Sequence, residues 1–328
     1  MKKKLTLIIL MTCIICMFLA ACGSKKEEST QAPLRIGSLK GPTSMGLVNL
    51  MYASENGETE GQYEFTMETQ PDVIMTAMVQ GDLDIALVPA NVASIMYNKT
   101  QGAVSVIDIN TLGVLYLVSG DSSITDMESL EGRTIYIPGK GTTPEYVLTS
   151  LLDSYSMTDK VTLEFKSEAT EAAALLAQDP NAVGLLPQPF VTAATTKNAD
   201  LNIVMDLNTE WDKFWGSDGG MIVTGVTVVR NDVLNERHGD VVNFMNEQQQ
   251  SVNLANSDME ATAKLIVEKG IVENEAVALK AIPGCNITYI AGKQMMDAYG
   301  LYLDILYSYD PSSVGGAVPA EGFYFVEE

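Results

Sequence analysis

One pattern occurs twice along this chain. Residues 36–44 read IGSLKGPTS and residues 137–145 read IPGKGTTPE. Each is a short apolar run, a glycine-rich loop with a lysine, then hydroxyl residues beside a proline. Further on, GDLDIALVP at 81–89 is echoed by PNAVGLLP at 180–187. Both of these segments close a helical stretch, run a strand and stop at a proline suited to the first turn of another helix. A chain that repeats strand, loop and helix start in this order builds two similar lobes of parallel-rich sheet covered by helices, an α/β architecture. Two such lobes, with the chain crossing between them more than once, make a hinged pair around a cleft.

Periodicity supplies the remaining elements. The first half predicts strands at 34–39, 63–67 and 83–88, helices at 42–54, 71–80 and 92–98, and two closely spaced strands at 104–109 and 112–119. The second half predicts strands at 134–137, 161–165, 182–186 and 201–206. Helices between them run from the TTP segment to about 155, over 170–178, and after Pro187-Gln188-Pro189. The aromatic and glycine-rich stretch 208–221 reads as a loop, and 222–230 as a β-branched strand returning to the first lobe. From 232 onward the pattern is helical at 232–256, 259–269, 274–282 and 292–307. The domain plan is a leader over 1–21, a polar tether over 22–33, a first lobe from 34–118 with 222–328, and a second lobe over 119–221.

The N-terminus predicts location. Lys2, Lys3 and Lys4 precede an apolar stretch over 5–19 that ends in Ala20-Ala21-Cys22. This order is that of a secretory signal, and the stretch is shorter than the ~20 residues that span a bilayer. Leu19-Ala20-Ala21-Cys22 resembles a bacterial lipobox, which implies cleavage before Cys22 and attachment of lipid, palmitate among its acyl chains, to that sulfur. Several chains on one residue hold a protein firmly where one does not. The expected location is the extracytoplasmic face of the cell membrane. Cys13 and Cys16 leave with the leader, so Cys285 alone remains as a free thiol and no intrachain disulfide forms. The one histidine, His238, follows Glu236-Arg237 in a polar stretch and reads as a solvated surface residue. A net charge of −22 makes nucleic acid a poor partner.

The whole of the chain after the leader resembles the solute-binding proteins of bacterial ABC importers, in the nitrate/sulfonate/taurine-type group that also includes thiamine-precursor binders. The residues carrying the resemblance are 39–44, 80–89, Ser129-Leu130-Glu131-Gly132-Arg133, 184–190, and Val314-Gly315-Gly316-Ala317-Val318-Pro319 with Phe323-Tyr324. It implies a two-lobe, periplasmic-binding-protein-like fold of type II, with a hinge and a central ligand cleft. It also implies a permease and an ATPase as partners and a small-molecule ligand, with membrane attachment through the lipid.

In open α/β sheets ligands sit beyond the carboxyl ends of strands, where loops lead into helix N-termini. Those junctions carry Ser38, Thr43, Ser44, Pro89 and Asn91 in the first lobe, and Thr142, Thr143 and Gln188 in the second. Thr43, Ser44, Asn91 and Thr143 are also ordinary helix-capping types, and the sequence leaves cap and ligand contact both open. Tyr116, on the strand before the crossover, is a candidate for the cleft wall, as is Trp215 in its aromatic loop. Trp211, Phe214 and Trp215 equally suit the closing of a core. Arg35 and Arg133 sit at strand starts, away from the binding edge, which favours salt bridges. With Arg230 and Arg237 they are the only arginines, so a small monoanion or a neutral heterocycle is the expected ligand.

Rival chemistries fit less well. A P-loop needs Gly-x-x-x-x-Gly-Lys-Ser/Thr, but Lys140 is followed by Gly141 and no glycine holds the first required position. A dinucleotide fingerprint lacks its third glycine. A pyrimidine-precursor synthase-like enzyme shares the fold family, but needs an active-site histidine and a cysteine-rich iron-binding stretch. A structural or adhesive surface lipoprotein has no low-complexity repeats to support it. The chain reads as a binder, with no catalytic residues, metal or cofactor.

Overall fold

In the computed structural model, which describes residues 32–179, 181–218 and 220–327, the two halves of the repeat become two sheets with one topology. The leader at 1–21, Cys22 and the tether as far as residue 31 lie outside the described residues. The first sheet contains β1 (Leu34–Leu39), β2 (Tyr63–Glu68), β3 (Ile85–Pro89), β4 (Val104–Leu112), β10 (Val223–Arg230) and β11 (Ile287–Ala291). The second contains β5 (Leu115–Ser119), β6 (Thr134–Pro138), β7 (Thr162–Lys166), β8 (Val183–Pro187) and β9 (Asn202–Asp206).

Strand order is β11-β4-β10-β3-β1-β2 in one and β7-β6-β8-β5-β9 in the other. In each, three parallel strands are followed by one antiparallel strand that arrives from the other lobe, then by the fourth strand of the local series. The register agrees too. Ile36 pairs with Phe65 and Ile85 on its two sides, and Ile135 with Leu163 and Val183. Strands covered on both faces read as continuous apolar runs, and β3 and β8 accordingly bury all but their terminal prolines.

Four expectations are corrected. The strand expected at 112–119 breaks at Gly113-Val114. β4 stays in the first sheet while β5 pairs with β8 and β9 in the second, so the lobes part there and not at 118/119. The supposed loop at 208–221 begins as the helix Leu207–Trp215, because the Asp206 side chain accepts from the Asn208 N–H and caps it. Leu207, Trp211 and Trp215 then form one apolar stripe. The helix expected at 42–54 divides into Pro42–Met45 and Val48–Glu55. Ser251 donates to the Gly46 carbonyl and accepts from the Leu50 N–H, holding the break open. Last, β11 occupies an edge and is mostly half-buried, so its pattern was too weak to separate from the helices around it.

The helix Gly292–Tyr309 ties the halves together. It packs on β4 and on the helix Thr143–Ser154. Tyr302 meets Trp211 with ring centroids 5.7 Å apart, and the Tyr309 hydroxyl lies 2.9 Å from that of Ser154. One apolar core therefore holds Val88 and Ile109 from the first sheet together with Leu115, Ile137 and Leu185 from the second. The Arg35 guanidinium makes two hydrogen bonds to Asp84, and Arg133 pairs with Asp121 at 2.7 Å, the salt-bridging roles expected of them. His238 is exposed, and Cys285 is buried against Met45 with its thiol pushed up by burial. Among the described residues no helix is long and apolar enough to cross a membrane.

Candidate functional site

A cleft of about 1430 Å³ opens where the loops of both sheets meet. Its wall in the first lobe is Leu39 to Thr43, Gln70 to Asp72, Pro89, Lys99 and the segment 270–280; in the second it is Pro138 to Pro144, Lys166 to Thr170, Pro187, Pro189 and Phe190. Five helices of eight residues or more begin on it: Pro71–Gln80, Ala90–Lys99, Thr143–Ser154, Ala169–Gln178 and Phe190–Lys197. The residues preceding them are Gln70, Pro89, Thr142, Glu168 and Pro189, and none caps its helix with a side-chain hydrogen bond. Asn274, also on the wall, does cap the seven-residue helix Glu275–Ala281, accepting from the Ala276 and Val277 N–H groups. The cleft thus gathers helix N-termini whose N–H groups and partial positive charge face its interior.

The hydroxyls tell the same story from the loop side. Thr43 Oγ1 donates to the Leu39 carbonyl at 2.8 Å and Thr142 Oγ1 to the Gly139 carbonyl at 2.5 Å. Both bonds tighten the loop without capping the helix behind it. First-turn glutamates do the remaining work in the second lobe. Glu145 accepts from the Gly141 N–H, and Glu171 accepts from the Ser167 N–H and hydroxyl.

Of the residues picked from sequence, Thr43, Pro89, Thr142 and Thr143 line the cleft. Ser38 and Ser44 do not: they are buried behind the loop, Oγ to Oγ at 2.7 Å, with Ser44 donating to the Leu39 carbonyl. Gln188 is turned inward, its Oε1 accepting from Thr192, while its neighbours Pro187 and Pro189 reach the wall. Tyr116 lies on the opposite face of β5 from the cleft-lining Leu115, as strand alternation requires, and packs among Val118, Leu176 and Leu186. Trp215 is off the cleft altogether, its ring 4.0 Å from Trp211 and 5.9 Å from Tyr309. Asn91 is fully buried and joins the lobes. Its Nδ2 donates to the carbonyls of Gly141, at 3.0 Å, and Ser313, and Thr143 Oγ1 lies 3.5 Å from its Oδ1.

A family model described as menaquinone biosynthesis matches residues 42–305, which take in every strand but β1 and every cleft helix. The chain belongs to this menaquinone biosynthesis family. Likeness to solved structures adds the fold. A Parabacteroides distasonis ABC transporter is 22% identical over 91% of this chain and 100% of that one, with a TM-score of 0.76. The periplasmic aliphatic sulphonate-binding protein of Escherichia coli is 14% identical over 90% and 92%, with a TM-score of 0.71. A Candida albicans protein described as having the generic periplasmic binding protein fold is 13% identical over 86% and 95%, with a TM-score of 0.58. This family member therefore has the periplasmic-binding-protein fold, as expected from its sequence. A search of curated proteins finds no match.

Sequence reasoning missed the lysines of this family member's cleft. Lys40, Lys99, Lys140, Lys166, Lys197 and Lys280 all line it, against three carboxylates, Asp72, Glu168 and Glu273. They come from separate loops and helix ends, so no local spacing announces them. Lys140 lies over the Phe165 ring at 5.3 Å and Lys166 over that of Tyr136 at 5.1 Å. Lys166 is also held in its charged form by Glu164. Among the described residues no group of three or more His, Cys, Asp or Glu could hold a metal ion.

Proposed function

We propose that this chain is the extracytoplasmic, lipid-anchored receptor of an ABC importer, which captures a small molecule between its lobes and delivers it to a permease. The observation that carries this reading is the cleft itself, where five uncapped helix N-termini from two lobes converge on one space. Such a site binds by enclosing its ligand, and closure follows only if the ligand contacts both lobes and so favours the closed form. Support also comes from the likeness to proteins described as an ABC transporter and as a periplasmic sulphonate-binding protein, and from Lys2-Lys3-Lys4 with the lipobox-like Leu19-Ala20-Ala21-Cys22. The test is a thermal-shift panel of small molecules with small-angle scattering on any hit. A stabilising ligand that also reduces the radius of gyration supports the receptor. Stabilisation by none of them, with scattering unchanged, defeats it.

The family match favours a second reading, an enzyme acting in menaquinone biosynthesis. Against it, the charged Lys166 is no base, and the cleft offers no histidine. Recovery of a chemically altered ligand after incubation with the protein decides for the enzyme; recovery of the intact ligand decides for the receptor.

A further inference from the structure

In a chain with 42 acidic and 20 basic residues, carboxylates are numerous enough to partner every lysine. Among the described residues the lysines that make no ion pair are Lys40, Lys99, Lys140, Lys197, Lys264 and Lys280. All but Lys264 line the cleft. Lys40, Lys99 and Lys280 stand on the first lobe, Lys140 and Lys197 on the second. The carboxylates on the same wall, Asp72, Glu168 and Glu273, are within ion-pair distance of none of them.

We propose that the ligand is a multiply charged anion whose carboxylate or phosphate groups are met by these unpaired lysines from both lobes. The proposal rests on the receptor reading of the cleft and supplies its ligand class. It replaces the small monoanion or neutral heterocycle expected from the scarcity of arginine. Ammonium groups gathered around one cleft repel, and closing the lobes would strip water from them, which raises the cost of leaving them unneutralised. A neutral ligand would be enclosed with that repulsion intact, and a monoanion would answer one lysine. Several anionic charges spread over one molecule answer lysines on both walls and so bind the closed form better than the open one. The helix N-termini add donors of the same polarity. Ammonium groups are point charges without the fork of a guanidinium, so carboxylate and phosphate serve equally.

Calorimetric titration of the full chain at low salt tests this with citrate, inorganic pyrophosphate and the uncharged sugar ribose. Binding of citrate or pyrophosphate, weakened by salt and silent for ribose, is expected, and whichever binds more tightly tells carboxylate from phosphate. K40Q/K140Q, one lysine from each lobe, should weaken that binding about tenfold or more, and K264Q should leave it unchanged. Equal losses in K264Q and K40Q/K140Q would mean diffuse charge attraction and overturn the proposal. Tight binding of ribose with both anions silent overturns it while leaving the receptor standing. Silence from all three overturns it, and a failure of the thermal-shift panel beside that silence removes the receptor as well.

Discussion

Asn91 in the first lobe donates through Nδ2 to the carbonyl of Gly141 in the second, 3.0 Å away, behind the cleft wall. The same amide lies 3.3 Å from the Ser313 carbonyl, so one buried side chain ties the Gly141 loop to the C-terminal segment. Asn91→Ala leaves those carbonyls without their donor. It should lower stability by about 1–3 kcal/mol, read as a shifted urea midpoint, and should enlarge the ligand-free radius of gyration in scattering. An unchanged radius with lowered stability would reduce Asn91 to a core residue with no part in lobe geometry.

Gly113 marks the first crossing. Its carbonyl accepts from Asn208 at 3.2 Å and from Asn286 at 2.5 Å, one from each side of the crossing. A Cβ there would lie 1.5 Å from Asn208 Oδ1. Gly113→Ala should therefore cost about 1–3 kcal/mol or more, and Asn208→Ala in the same chain should recover part of the loss. Additive losses in the double variant would place the strain elsewhere.

Asp108 is buried in the first lobe, where Thr227 and Gln248 donate to its Oδ1, while its Oδ2 and Gln248 Oε1 have no partner. Burial pushes its carboxyl up to about 7, the two donors notwithstanding. A folded value raised above the unfolded one means the native state holds the extra proton. Stability is full below the ordinary carboxylate range, falls as pH climbs from there, and has lost this contribution once pH passes about 7. The slope reaches at most about 1.4 kcal/mol per pH unit. Denaturation midpoints across that window should flatten in Asp108→Asn, and an identical pH profile in the variant would exclude this carboxyl as the source.

The proposed anchor is tested by fractionation. Cys22→Ser should move the protein from the membrane pellet to the soluble fraction, and mass spectrometry of the parent should find acyl chains on the N-terminal residue after cleavage. An unmodified Cys22 in membrane-bound protein would require a different attachment.

The architecture was legible because it is written twice. Ile36 and Ile135 occupy equivalent central positions in two sheets of one strand order, and the sequence around each shows it. The loops carrying Thr43 and Thr142 were legible for the same reason. The break between β4 and β5 was not, because the residues on both sides are apolar and both strands are central. Nor was the helix ending at Trp215, whose stripe is hidden by the glycines that follow it. Ser38, Ser44 and Gln188 were misplaced by a different limit. Residue type and proximity to a junction do not say which way a side chain turns, and all three point into the protein. The unpaired lysines are a property of the folded surface, since a missing partner is visible only when every carboxylate has a position.

β10 lies between β3 and β4 at the centre of the first sheet, yet it is made only after the whole second lobe. Until that strand arrives, the early strands have a gap where their middle partner belongs, and most of the first lobe's hydrogen-bonded ladder cannot close. Synthesis therefore delivers the second lobe in one continuous piece and leaves the first waiting for its keystone. For the exported chain proposed above, late closure of the N-terminal half would have a use. It would delay native structure in the segment that must cross the membrane first.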